Sequence, residues 1–233
     1  MIHLDSRKQG AVEAVERRFA ATWSAADGVA PDAWLSVEGR RIAVVVSAID
    51  AGPVGRVAAP RRRFDKVALR LVRQLEATLS PDIPDGEAVI LTVTAPIRLA
   101  GQTAAALADM VGDGMAGGAP LDLDEVVCGN QIRARRVDGV SLRAPKVIGF
   151  VHNPGPGQAE ALLTVTQCLL RGLGAADDLP SGHEAERWLV IADPQGAAPL
   201  KTWGQVLDQL AIQGGPAKIL LAGRGGRVEI LAE

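Results

Sequence analysis

The chain has 233 residues, 48% of them hydrophobic and 22% charged, with a formal net charge of −2 and a pI of about 6.0. That balance excludes a disordered chain, a coiled coil and a globally basic nucleic-acid binder, while leaving room for a local basic patch. Aromatic residues make up 3%, with no tyrosine, which removes the stacking platforms used by most single-strand readers.

In chain order, hydrophobic spacing at Val12, Val15, Phe19 and Trp23 predicts a helix over 6–24, capped by Asp5 or Ser6. A hairpin is expected next, with strands 33–38 and 41–49 turning through Gly39-Arg40. Residues 51–60 hold two Gly and two Pro and read as a loop. Helical spacing returns over 61–79, where Val67, Leu71, Leu75 and Leu79 step by four. A strand over 87–95 and an Ala-rich helix over 101–111 precede the Gly-rich stretch 112–120. Strands near 126–136 and 145–152 come next, then a helix at 157–172 and a strand at 187–192. A helix at 200–212 and a hairpin of 217–222 with 227–232, turned by Gly223 to Gly226, complete the pattern.

The alternation predicts an α/β fold with a mixed β-sheet flanked by helices. Residues 1–111 read as one half, 112–124 as a Gly-rich connection and 125–233 as a second α/β half, with room for both to pack as one domain. Cys128 and Cys168 are the only cysteines, too few for a disulfide framework and too far apart for a Cys-X-X-Cys motif. They read as reduced thiols. The start of the chain lacks an apolar signal region, and no stretch approaches ~18 apolar residues. A soluble cytoplasmic protein is expected, with no membrane partner.

The opening helix, holding Glu13 and Glu16, precedes Pro31-Asp32-Ala33-Trp34-Leu35, a tight turn, and Arg41-Ile42-Ala43-Val44-Val45-Val46-Ser47. This order resembles the PD-(D/E)XK nuclease superfamily, in which a Pro-Asp begins one strand and an acidic-X-Lys triplet lies on the next. The resemblance covers roughly the first 95 residues and implies a restriction-endonuclease-like core. One core strand of the family is not evident between the helix and Asp32. In the family the two acids hold a magnesium ion, which as a hard cation needs oxygen ligands, and the Lys helps position the attacking water. Here Asp32 takes the first place, but the acidic position falls on Val45 and the Lys position on Ser47. Valine has no ligand atom and serine no positive charge. Asp32, with Glu16 approaching it from the helix, would be at best the remnant of a metal site; otherwise Asp32 caps a turn or the strand start. The resemblance therefore implies an inactive nuclease and no bound cofactor, magnesium entering only if the site were active.

A basic row forms the second feature. Arg61, Arg62, Arg63, Lys66, Arg70 and Arg73 crowd the start of the 61–79 helix. Arg62, Lys66, Arg70 and Arg73 share one face, suited to phosphate groups through the planar guanidinium fork, or else simply solvated. The segment His152-Asn153-Pro154-Gly155-Pro156-Gly157, entering a helix, is neither a P-loop nor a dinucleotide fingerprint. It reads as an ordinary strand-to-helix connection. His183, in a Pro-Ser-Gly-His-Glu loop, reads as a polar loop residue.

The sequence thus predicts a non-catalytic protein on a degenerate nuclease-like fold, binding nucleic acid or phosphate through Arg61 to Arg73. Two alternatives stand beside it: an assembly module without a ligand, and an enzyme whose site lies between the halves and carries no motif. High apolar content with modest net charge favours a homodimer.

Overall fold

Asp5 opens the first helix, α1 (Ser6–Phe19), with its carboxylate accepting the backbone N–H groups of Arg7 and Lys8, both at 2.9 Å. The computed structural model describes residues 4–26, 30–49, 66–117, 120–152, 157–179, 186–212 and 214–233. The chain leaves α1 at Ala20, whose φ of 48° is left-handed. Residues 22–24, expected as helix, instead belong to strand β1 (Thr22–Ala25). Trp23 fits a helical period, but a short apolar run carries no unambiguous period. The pairing of β1 with the next strand decides the matter, from Thr22↔Ser36 to Ala25↔Ala33.

The expected hairpin is present as β2 (Ala33–Val37) and β3 (Arg40–Ala48). Its two turn residues are Glu38 and Gly39, with φ of 49° and 78°. Positive φ at both central positions matches the right-handed twist of the flanking strands. Next come α2 (Lys66–Leu79), β4 (Glu87–Thr94) and α3 (Ala100–Ala116). Helix α3 runs through Gly112 and Gly114, so 112–116 is helix and not the expected connection. A side chain at Gly114 would collide with Leu121, which explains a glycine there better than a hinge does. The single strand expected near 126–136 is a hairpin of β5 (Asp122–Val127) and β6 (Asn130–Asp138), turned at Cys128-Gly129. The chain then forms β7 (Val147–His152), α4 (Gln158–Asp177), β8 (Glu186–Ala192), α5 (Leu200–Leu210), β9 (Lys218–Ala222) and β10 (Val228–Ala232).

These strands form two mixed sheets, so the molecule is α/β with helices flanking the sheets. The first has the order β1-β2-β3-β8-β9-β10 and the second β5-β6-β4-β7. In the first, β3, β8 and β9 run parallel, and the remaining neighbours are antiparallel. The helix and strand expected to complete the sheet around Asp32 belong elsewhere: α2 and β4 build the second sheet. The parallel neighbour of β3 is β8, reached through α4 more than a hundred residues later. A parallel neighbour requires a crossover, but nothing in a sequence marks which later helix supplies it.

Layering reflects which faces are apolar. Helix α1 covers one face of the first sheet through Ala11, Val12, Ala14 and Val15. Helices α2 and α3 cover the outer face of the second sheet. Between the sheets lies α4, most of whose residues are buried, with Glu160, Arg171 and Asp177 reaching its edges. Its core joins Val45 and Ile191 of the first sheet to Ile90 and Phe150 of the second. Gly172 and Gly174, on opposite faces of α4, permit both approaches. A Cβ at Gly172 would stand 2.8 Å from Leu189 and 3.0 Å from Ser47, and one at Gly174 would strike the Gly139 carbonyl. Among the described residues no helix is long and apolar enough to cross a membrane.

Candidate functional site

Asp32 precedes β2, and its position is set by backbone pairing. Its N–H donates to the Val44 carbonyl at 2.9 Å. Its Oδ2 accepts the Val46 N–H at 2.7 Å. Asp32 therefore ties the start of β2 to β3, the strand-start role open in the sequence. It also faces a cleft. Its Oδ1 accepts the Lys8 ammonium of α1 at 2.9 Å, with the two side chains 30% and 20% exposed for Lys8 and Asp32. The cleft encloses about 390 Å³ and is lined among others by Lys8, Asp32, Val45, Ser47, Arg171 and Gly172.

Asp32, Val45 and Ser47 thus line one cleft. Val45 is 4% exposed and packs into the α4 core. The Ser47 hydroxyl donates to the Cys168 carbonyl at 3.0 Å and lies 3.3 Å from the Cys168 sulfur. Neither residue supplies an anionic ligand or a cation. Asp5 also lines the cleft, but its carboxylate is committed to the α1 cap. Among the described residues no group of three His, Cys, Asp or Glu side chains converges on a metal-sized site. A hard divalent cation would meet one carboxylate already neutralised by an ammonium, where it needs several oxygens.

Glu16, a remnant candidate that could approach Asp32, does not line this cleft. It lies eight residues beyond Lys8, or ~12 Å further along α1. Lys8 takes the approach instead. Sequence reasoning missed both Lys8 and Arg171, because neither belongs to a motif. The only signal for Lys8 was the predicted cap at Asp5, which places Lys8 in the helix's first turn. Arg171 reaches across from α4 to Asp138 at the end of β6, at 2.9 Å. That hydrogen bond, with one from the Asp138 backbone, holds the Asp138 carboxyl below the usual carboxylate range.

The basic row divides. Arg61, Arg62 and Arg63 lie outside the described residues, as do Asn153 to Pro156 and His183. Lys66, Arg70 and Arg73 lie on α2 and are exposed. Val67, expected inward, is 46% exposed; the buried line is Ala68, Leu71, Val72, Leu75 and Leu79. At ~3.6 residues per turn, that line lies on the opposite side of the helix from the three cations. Three of the four predicted inward residues, Leu71, Leu75 and Leu79, are buried; only Val67 departs, with Ala68 and Val72 completing the buried line. No carboxylate among the described residues pairs with the three cations.

His152 ends β7 and is buried, its Nε2 lying 3.5 Å from the Thr94 hydroxyl. Gly157 caps α4 with a φ of 74° and no side-chain hydrogen bond. No family model, curated protein or solved structure matches this chain.

Proposed function

We propose that this chain is a non-catalytic protein with a nuclease-like core, which binds nucleic-acid phosphates through the outer face of α2. The observation that carries the reading is the exposed row of Lys66, Arg70 and Arg73, opposite the buried line of α2 and without an acidic partner among the described residues. The element order around Asp32 supports the nuclease-like part. A helix (α1), three strands (β1, β2, β3), a helix (α4) and a parallel strand (β8) lie around it, with β1 between α1 and Asp32 in the chain. The Lys8 contact on Asp32, with Val45 and Ser47 beside it, supports the absence of catalysis. A cytoplasmic homodimer belongs to the same reading, its thiols Cys128 and Cys168, joined in no disulfide, suiting a reducing compartment.

A mobility-shift titration tests this reading. With three phosphate contacts, affinity for duplex DNA should fall about 40-fold between 50 and 200 mM salt, from a slope of ~0.9 per contact. The triple variant Lys66→Glu, Arg70→Glu, Arg73→Glu should lose the shift while keeping its melting temperature, because exposed charges add little to folding. Neither magnesium nor manganese should give a stoichiometric calorimetric signal that Asp32→Ala removes. Absence of any shift with DNA or RNA at low salt refutes the binding role. A tight metal site at Asp32 refutes the inactive core.

A further inference from the structure

A second groove, of about 350 Å³, runs along α1 and shares no lining residue with the cleft at Asp32. It opens where the carboxyl ends of β8 and β9, at Ala192 and Ala222, leave the first sheet. The loops beyond the carboxyl ends of parallel strands are a common setting for ligands in open α/β sheets. The volume is that of a small-molecule site.

Two chemical features distinguish this groove. Its wall is the turn from Gly223 to Gly226, in which Gly225 and Gly226 have φ of 69° and 75°. Arg17 reaches this turn from α1: its Nη2 lies 3.0 Å from where a Gly226 Cβ would stand. Any side chain there would displace the guanidinium, so the glycine lets a cation lie against bare backbone. Arg17 itself has no acidic partner among the described residues. The groove's one acid, Glu13, is occupied by the Gln9 amide at 2.9 Å. Arg7, at the other end, donates to the Ile49 carbonyl at 3.3 Å. Between the two arginines the floor is apolar and shallow, built from Ala11 and Ala14, and the space beside Gly10 is open.

We infer that this groove binds a phosphate ester of about nucleoside-monophosphate size, its phosphate held by Arg17 against the Gly225-Gly226 backbone and its organic part lying over Ala11 and Ala14. A planar guanidinium offers paired hydrogen bonds to phosphate oxygens, and glycines allow close backbone approach. The α2 row plays no part in this site, so the two readings fail separately.

Calorimetric titration of the full chain with AMP, adenosine and inorganic phosphate at low salt tests the inference. AMP should bind, adenosine should not, and inorganic phosphate should compete more weakly than AMP. Arg17→Gln should weaken AMP by at least about tenfold, the loss of one charge-assisted contact. Gly10→Leu should block the groove without unfolding the chain, because a Cβ at Gly10 meets nothing within 4 Å. Both variants should keep the nucleic-acid shift assigned to α2. No binding of AMP at millimolar concentration, equal binding of adenosine, or AMP affinity unchanged in both variants would overturn the inference.

Discussion

Asp32 was legible in the sequence because a Pro-Asp pair ahead of a hairpin marks a strand start, and the residue sits immediately before β2. Its partner was not legible. Lys8 meets Asp32 because α1 packs against β3, a long-range contact that no local residue pattern records. Arg171 was hidden for the same reason, its contact with Asp138 spanning α4 and β6. That contact carries a pH prediction. Because the folded pKa of Asp138 is depressed, its contribution to stability is present above the unfolded pKa. It is lost as pH falls through the folded value. Both side chains are half or more exposed, so solvent screening limits the contribution to about a few tenths of a kcal/mol. Arg171→Ala removes the largest cause of the shift, and the Asp138 midpoint should rise toward 3.8, as followed by carboxyl-carbon NMR. A midpoint that stays put in the variant would show that the backbone hydrogen bond alone holds the carboxyl down.

At the scale of elements, the strands and helices with a clear period lie within a few residues of where the spacing places them, as for β8, α5 and the β9–β10 hairpin. The departures share one cause. Glycine reads as punctuation at 112–116, yet the stretch is helical because Gly114 makes room for Leu121. Conversely Trp23 fits a helical period and lies in a strand. Tertiary contact, not propensity, decided both. Glycine inside helices separates two roles that sequence cannot distinguish. Gly174 faces the Gly139 carbonyl with no room for a methyl group, whereas Gly204 of α5 faces open space. Gly174→Ala should destabilise the protein by ~1–3 kcal/mol through forced displacement of α4 from the second sheet. Gly204→Ala should be neutral or stabilising by up to ~1 kcal/mol, since it only restricts the unfolded chain and improves helix propensity. Chemical denaturation of both variants gives the comparison. Equal stabilities would mean that α4 shifts freely and that its packing is looser than the contacts require.

For the whole molecule, the division into 1–111 and 125–233 does not match the sheets. Strands from both ends of the chain, β1 to β3 and β8 to β10, form the first sheet, and the segment between them forms the second. Neither segment therefore contains a complete sheet, and α4 places one apolar core between the two. Local period reveals elements but carries no record of which strands pair, so this arrangement was beyond the sequence. It has a thermodynamic consequence. Trp23, Trp34, Trp188 and Trp203 all belong to the first sheet or to α5 beside it, so their fluorescence reports that side of the molecule. Far-ultraviolet circular dichroism reports every helix, including α2 and α3 on the second sheet. With α4 as the shared layer, both signals should fall in one coincident transition, the mark of a single cooperative unit. Leu162 and Leu169 of α4 are fully buried. Replacing either with alanine should cost ~2–5 kcal/mol and move both signals together. Fragments 1–111 and 112–233 should each remain unfolded, since each lacks strands that the other holds. Two separated transitions, or a Leu169→Ala variant that shifts fluorescence alone, would show instead that each sheet has its own sufficient core and that α4 belongs energetically to only one of them.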